Sequence, residues 1–195
     1  MSKPRAGDAQ PGAAEYDAAV LEAVGAGDWL CVVELLAEVK LLKFRLPDTT
    51  VMAASRALCE GGQWGRGAGL LEDAILAGAS CDDATLRSVI GACDAAATAV
   101  GDASTATRAA KAATGILDAV ASTDDEAEAP GWARNAVARL LARAGDYDGA
   151  EAALDALMRE EVAVEGRTFT VIAAELLRAG EGDRAEVVLE CRDYL

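Results

Sequence analysis

The sequence contains no histidine. Histidine is the side chain whose unperturbed pKa suits acid–base catalysis near neutral pH, and it is the commonest metal ligand in proteins. Its absence excludes most hydrolase triads. The remaining residues offer no pair of nucleophile and base, no metal cluster and no phosphate-binding glycine loop. We therefore expect no enzymatic activity, no bound metal and no cofactor.

Cysteine patterns typical of zinc sites or redox pairs are also missing. The five cysteines are odd in number, form no C-x-x-C pair and lie in otherwise apolar helical patterns. A structural zinc site needs clustered ligands that this spacing does not offer. We expect reduced, buried small residues at Cys31, Cys59, Cys81, Cys93 and Cys191.

Long apolar runs and positive charge are scarce as well. Charged residues interrupt even the stretch from Val20 to Leu42, so no run reaches the ~18 to 20 apolar residues of a membrane helix. The 33 acidic residues outnumber the 18 basic ones, which leaves a net charge of −15. Residues 1–14 lack the apolar segment of a secretory signal and the Arg/Ser pattern of a transit peptide, and we expect an extended segment there.

What the sequence does contain is an internal repeat. Short turn motifs recur at Gly25–Trp29, Gly61–Trp64, Arg143–Tyr147 and Arg178–Gly180. Gly27 and Gly62 lie 35 residues apart, and so do Gly145 and Gly180. Residues five, eight, nine and twelve positions after these glycines are mostly apolar, which is the spacing of one helix face. The agreement between four registers predicts a repeated helical unit.

Each of these glycines separates two helical patterns, so the unit is a helix hairpin. Glycine after a helix accepts the left-handed conformation, and Asp28 and Asp146 can cap the helix that follows. Small residues would let the paired helices approach closely, while aromatic residues beside the turn would fill the core or wedge between repeats. The small residues are Gly67, Ala150 and Ala185, and the aromatic ones are Trp29, Trp64 and Tyr147.

The repeat becomes irregular between Ser80 and Trp132, where 13 residues exceed the length of two units. Four of them fit a first helix prolonged by about one turn, from Thr85 to Val100 with Gly101 as its stop. The other nine match the acidic loop 123–131, which we interpret as a solvated spacer. An alanine- and threonine-rich second helix is expected from Ser104 to Ser122. The predicted units are 15–48, 49–82, 83–122, 131–165 and 166–195, the third being degenerate.

This unit resembles the pentatricopeptide repeat. The resemblance rests on the 35-residue hairpin, on glycine ending its first helix, and on a Pro-Asp ending or its remnant at Pro47-Asp48, Cys81-Asp82 and Val164-Glu165. It covers about Ala13 to Leu195. The motif from Ala144 to Ala150 also fits the tetratricopeptide repeat, but the 35-residue spacing and the Pro-Asp ending favour the first family. Either family implies an all-α fold, an α-solenoid of about five hairpins in a right-handed superhelix with a concave binding face.

The resemblance also implies where a partner would bind. Pentatricopeptide repeats bind single-stranded RNA, one base per repeat, in plastids and mitochondria. The family's base-reading positions are the fifth and the last residue of each repeat, and only Asn135 and Thr170 have the expected type at the fifth. The family's phosphate-facing basic residue is present in the last two units. The candidate partner- or RNA-facing residues are therefore Asp17, Asp48, Asn135, Arg143, Glu165, Thr170 and Arg178.

Net charge decides between the two functions that we consider. RNA affinity comes largely from basic groups that displace counterions, and the electric field of a protein with a net charge of −15 would repel the RNA strand. The sequence therefore favours a non-catalytic protein–protein interaction scaffold, a peripheral or assembly subunit of an organellar complex such as a ribosome, respiratory complex or photosystem. The alternative is a sequence-selective single-stranded RNA-binding protein. An organellar location, in a plastid rather than a mitochondrion, is implied by the resemblance alone.

One basic group stands apart from the acidic background. Lys40, Lys43 and Arg45 flank the apolar residues Leu41, Leu42 and Phe44. These cations could meet an acidic partner or a membrane headgroup. They could equally be a solvated helix end, where cations favour the C-terminal dipole.

Overall fold

The computed structural model describes residues 11–123 and 129–193, and within these ranges the chain forms ten α-helices and no strand. This confirms the predicted all-α fold. The first five helices are α1 (Ala13–Gly25), α2 (Trp29–Leu41), α3 (Asp48–Glu60), α4 (Trp64–Leu76) and α5 (Asp83–Val100). The others are α6 (Ala103–Thr123), α7 (Gly131–Arg143), α8 (Tyr147–Arg159), α9 (Gly166–Ala179) and α10 (Gly182–Asp193).

The helices pack as five consecutive hairpins that form a solenoid. In each hairpin an odd-numbered helix packs on the even-numbered helix that follows it. Every odd-numbered helix also contacts the next odd-numbered one, so that α1, α3, α5, α7 and α9 form one continuous layer, here called the inner layer. Among the even-numbered outer helices of the described ranges, only α4 and α6 contact each other. The predicted α-solenoid is thereby confirmed.

The turns inside the hairpins follow the predicted register. All four turn glycines adopt the left-handed conformation that side chains with a Cβ disfavour. Two aspartates directly after these glycines accept a hydrogen bond from a backbone N–H of the next helix, Asp28 from Cys31 and Asp146 from Gly149, both at 3.0 Å. The φ angles are 67° at Gly27, 76° at Gly62, 81° at Gly145 and 85° at Gly180.

Close packing explains two of the predicted small and aromatic positions. A Cβ on Gly67 of α4 would lie 2.6 Å from Cys59 Sγ and 2.7 Å from the carbonyl oxygen of Ser55, both on α3. Only glycine lets these two helices approach so closely. Trp29 lies against Gly61 of the second hairpin, where a Cβ would come within 2.6 Å of the indole ring. Trp29 is thus a wedge between repeats, as predicted.

The third hairpin contains the extra residues. α5 has 18 residues and ends at Gly101, whose φ is 65°, which confirms the prolonged helix and its stop. α6 has 21 residues and packs against α4, α5 and α7 through a face of small buried residues such as Ala109 and Ala113. Of the predicted loop 123–131, Thr123 belongs to α6 and residues 124–128 lie outside the described ranges.

The chain start differs slightly from its prediction. Residues 1–10 lie outside the described ranges, and α1 begins at Ala13, inside the segment predicted to be extended. The Gly12 N–H donates to Glu15 Oε2 at 2.7 Å, and this hydrogen bond stabilises the first turn. No helix of the described ranges is long and apolar enough to cross a membrane.

The cysteine prediction is correct for two residues only. All five are free thiols in the described ranges, but just Cys59 and Cys93 are buried, whereas Cys31, Cys81 and Cys191 are partly exposed. Burial raises the pKa of Cys59 to about 11 and that of Cys93 to about 12. The other three lie near helix ends, where fewer neighbours cover them.

Candidate functional site

Charge is distributed unevenly along the inner layer. The first two inner helices, α1 and α3, carry one arginine and five acidic residues. The last three, α5, α7 and α9, carry six arginines and three acidic residues. The arginines are Arg87, Arg134, Arg139, Arg143, Arg167 and Arg178, and the acidic residues are Asp83, Asp94 and Glu175. The last three inner helices therefore form an arginine-rich surface, on which the side chains of Arg87, Arg167 and Arg178 are exposed and the other three arginines are largely buried.

Asp94 of α5 lies at the centre of this surface. Its carboxylate pairs with Arg143 of α7, with Arg139 Nη2 at 3.9 Å and with Arg167 Nη2 of α9 at 3.6 Å. Arg139 also donates to Glu165 Oε2 at 2.8 Å, whereas the side chain of Arg167 is largely exposed. Three guanidinium groups from two helices thus face two carboxylates, and positive charge is left over.

Asn135 is fully buried, with 0% of its surface exposed. Its Nδ2 donates to the carbonyl oxygens of Gly131 at 2.9 Å and Ala163 at 3.0 Å. Its Oδ1 accepts from the Glu165 N–H at 3.0 Å and from Thr168 Oγ1 at 2.8 Å. These four bonds use the whole hydrogen-bonding capacity of the amide. The expectation that Asn135 faces a partner is corrected here, because its side chain joins two repeats.

The same junction recurs in the first two hairpins. Thr50, the third residue of α3, donates to Asp17 Oδ1 at 2.6 Å, just as Thr168, the third residue of α9, donates to Asn135. At the junction of the second and third hairpins, the corresponding residues are Met52 of α3 and Thr85 of α5. Since methionine offers only a weak acceptor, the buried Thr85 Oγ1 finds no hydrogen-bond partner among the described residues. Threonine at the third position of three inner helices, Thr50, Thr85 and Thr168, is the sequence signal that marks these junctions.

Three predicted residues meet at one cavity. Arg143, Thr170 and Arg178 line a space of about 320 Å³ between α5, α7 and α9, together with Asp102 and Glu175. The Arg178 side chain is exposed and pairs with Glu175 at 2.5 Å. The Thr105 hydroxyl and N–H lower the pKa of Asp102, which keeps this carboxylate charged at neutral pH. The cavity is therefore lined by both positively and negatively charged side chains, and the two arginines belong to α7 and α9.

The other predicted residues lie apart from this cavity. Glu165 joins Asn135 and Arg139 at the repeat junction. Asp17 and Asp48 lie on the acidic first two inner helices, where Asp17 accepts from Thr50. The structure thus separates the seven predicted positions into a junction, a cavity and an acidic end.

An aromatic side chain on this surface was not among the predicted site residues. Trp132, the second residue of α7, is half-buried, and the Arg87 guanidinium lies 4.3 Å from the centre of its ring. Its Nε1 donates to Asp83 Oδ1 at 3.0 Å, and Arg87 Nε donates to the other oxygen at 2.7 Å. The hydrogen bond that holds Trp132 in place joins it to Asp83, 49 positions earlier in the chain. Local sequence patterns could therefore not reveal this contact.

No family model and no curated protein matches the chain. Among solved structures, it is similar to the crystal structure of the pentatricopeptide repeat protein PPR10 from maize, with 19% sequence identity and a TM-score of 0.44. The match covers 94% of this chain and 30% of the PPR10 chain. The crystal structure of PPR10 in complex with an 18-nt psaJ RNA element is similar at 16% sequence identity, with a TM-score of 0.44. This match covers 98% of this chain and 30% of the PPR10 chain. The chain thus spans about 30% of the length of these structures. They belong to the family that the sequence resembles, and the chain is a helical-repeat protein.

Proposed function

We propose that the protein binds a short segment of single-stranded RNA across the inner layer of its last three hairpins. The observation that carries this proposal is the cluster of six arginines on α5, α7 and α9, of which Arg87, Arg167 and Arg178 have side chains 56%, 60% and 72% exposed. Arginine is well suited to this task because its planar guanidinium contacts phosphate with two hydrogen bonds. The resemblance of the sequence to an RNA-binding family supports the same proposal.

The net charge of −15 does not rule this function out. At physiological ionic strength, charges more than ~8 Å from a binding surface are largely screened. The acidic excess of the inner layer lies on α1 and α3, and further acidic residues lie on the outer helices. A phosphate at the last three hairpins would therefore meet chiefly the exposed guanidinium groups of Arg87, Arg167 and Arg178. The arrangement favours a short segment of RNA over a strand that runs along all five hairpins.

Sequence selectivity should be weak in this mode of binding. The side chain of Asn135 is committed to the repeat junction and cannot also read a base. Thr170 is exposed, and its Oγ1 donates only to the Gly166 carbonyl of its own helix. We therefore expect phosphate contacts to supply most of the affinity.

The salt dependence of RNA affinity tests the proposal. Binding of a fluorescein-labelled 12-nucleotide RNA of mixed sequence would be measured by anisotropy between 50 and 200 mM salt. Each lost phosphate contact lowers the slope of log K against log salt by about 0.7 for single strands. We expect Arg167→Ala with Arg178→Ala to lower the slope by about 1.4. The matched control, Arg159→Ala with Arg192→Ala, removes the same charge from the outer helices α8 and α10 and should leave the slope unchanged.

Two results would contradict the proposal. The first is no detectable RNA binding at 50 mM salt, where electrostatic attraction is strong. The second is an equal loss of affinity in both double variants, which would indicate a response to overall charge and not a site on the inner layer.

A protein-binding scaffold is the second candidate function. One observation favours it, an open apolar cleft between α2 and α4 that is lined by residues such as Leu36 and Leu70. Membership of an organellar complex and a plastid location stay predictions from the family resemblance. Sedimentation of the endogenous protein in a native lysate separates the two functions. A large particle that survives ribonuclease supports the scaffold, and a return to the size of the free protein supports RNA binding.

A further inference from the structure

A wide gap separates the outer helices α2 and α4. α4 and α6 pack against each other, but within the described ranges α2 and α4 do not. A cleft of about 650 Å³ lies between these two helices. Its walls include Val33 and Leu36 of α2 and Leu70 and Ala74 of α4, and Leu58 of α3 lies at its floor. The hairpins already contact each other through the inner layer, so the cleft is an additional apolar surface.

The α4 wall of the cleft allows a close approach. Gly65 and Gly69, one helical turn apart, line the cleft and also border the neighbouring cavity between α4 and α6. A Cβ at either position would meet no atom of the described residues within 4 Å. Helices approach each other most closely where small residues line the contact. Since α2 and α4 have 13 residues each, the walls are about 20 Å long, which suits a helix of roughly the same length.

Basic side chains surround this apolar floor. Lys40, Arg45 and Arg66 line the cleft, together with Asp48 and Asp73. The Arg45 side chain is 77% exposed, and its only ion pair in the described ranges, with Asp48, is long at 3.9 Å. Lys43 is exposed next to this group. Three cations against two carboxylates line the cleft, and Lys43 adds a fourth cation beside it, which in a chain of net charge −15 favours a partner of opposite charge.

Exposed leucines extend the apolar surface beyond the cleft. Leu41 and Leu76 occupy equivalent positions at the ends of α2 and α4, and they are 80% and 60% exposed. Large exposed apolar residues beside an apolar cleft are typical of interaction sites. An apolar floor with a basic rim complements a helix that has one apolar face and acidic flanks.

We propose that the cleft between α2 and α4 binds an amphipathic, acidic helix of a partner protein. This site is separate from the arginine-bearing surface of the last three hairpins, and it does not depend on RNA binding.

A designed peptide tests the proposal with the full chain. The probe is a fluorescein-labelled 14-residue helical peptide with leucine at positions i, i+3, i+4 and i+7 and glutamate beside them. A second peptide carries lysine in place of every glutamate. We expect the glutamate peptide to bind at least tenfold more tightly than the lysine peptide, with an affinity that falls as salt is added.

Two variants of the protein locate the binding. Gly69→Leu fills the cleft and should lower the affinity for the glutamate peptide at least tenfold. We expect this variant to fold, because leucine is a better helix former than glycine and a Cβ at this position meets no atom of the described residues within 4 Å. Arg66→Glu reverses an exposed charge at the rim and should weaken binding several-fold. Lys111→Glu on α6 makes the same charge change outside the cleft and should bind the peptide like the original chain.

Four outcomes would overturn the proposal. One is no binding of either peptide, and another is equal binding of both. The third is unchanged affinity in Gly69→Leu, which would place the peptide elsewhere. The fourth is a different occupant, shown by binding to phosphatidylserine vesicles or by self-association that Gly69→Leu abolishes while the peptides do not bind. The Arg167→Ala and Arg178→Ala double variant should bind the peptide normally, which separates this test from that of RNA binding.

Discussion

Replacing Thr168 by valine should destabilise the last two hairpins, whereas the same change at Thr85 should not. Valine has nearly the shape of threonine but lacks the hydroxyl. Both threonines are buried and are the third residue of an inner helix, Thr168 in α9 and Thr85 in α5. The two changes therefore match in volume, in helix position and in burial. They differ in whether the removed hydroxyl is hydrogen-bonded to a side chain of the neighbouring repeat.

The structure gives the expected magnitudes. Thr168 Oγ1 donates to Asn135 Oδ1 at 2.8 Å and accepts from Arg139 Nη1 at 3.0 Å. A neutral hydrogen bond contributes about 1 kcal/mol net, and one to a charged group contributes somewhat more. Since Asn135 and Arg139 each keep another partner, we expect a loss of about 2 kcal/mol. Among the described residues, Thr85 Oγ1 makes no hydrogen bond to the neighbouring repeat and lies only near the Asp82 carboxylate that caps its own helix, so its removal should change stability by less than about 1 kcal/mol.

Thermal unfolding followed by far-ultraviolet circular dichroism would measure the difference. For a chain of this size, 2 kcal/mol corresponds to a shift of the midpoint by about 4 to 8 °C. Repeat arrays can unfold in stages, so the later hairpins are expected to melt first in Thr168→Val. The double change Asn135→Ala with Thr168→Val should cost less than the two single losses together. Equal losses in Thr85→Val and Thr168→Val would refute the reasoning.

Four further predictions concern the turns and the thiols. Gly145→Ala should destabilise by about 1 kcal/mol in urea unfolding, because alanine is strained at a φ of 81°; an unchanged midpoint would contradict this. Glu161→Gly should stabilise by about 0.5 kcal/mol, since Glu161 has a φ of 56° where the equivalent turn of the second hairpin uses Gly78. Cys59 and Cys93 should resist iodoacetamide at pH 8 in the folded protein and react once it is unfolded, as mass spectrometry of the labelled peptides would show. Because burial raises both thiol pKa values above the ordinary value of 9.0, stability should fall as pH rises above about 9.

The sequence predicted much of the fold because the relevant signals are local. Gly27 and Gly145 mark turns that depend on their own backbone angles, and Asp28 and Asp146 cap helices three residues away. The prolonged α5, predicted from Thr85 and found from Asp83, and its stop at Gly101 followed from counting the residues between regular units. The site was harder to predict. Asn135 had the residue type of a partner-facing position, and the same amide is also well suited to bonding four groups at a buried junction.

The sequence by itself determined the helix hairpin, its 35-residue period and the glycine turns that separate the two helices of a hairpin. These features depend on glycine conformation, capping and apolar spacing within a few residues. Only the tertiary structure decided that Thr168 meets Asn135, that Asp94 gathers Arg139, Arg143 and Arg167, and that α2 and α4 leave a cleft. These contacts join residues about 30 to 75 positions apart along the chain. Their existence depends on the distance and angle between hairpins, which packing fixes and which no local pattern encodes.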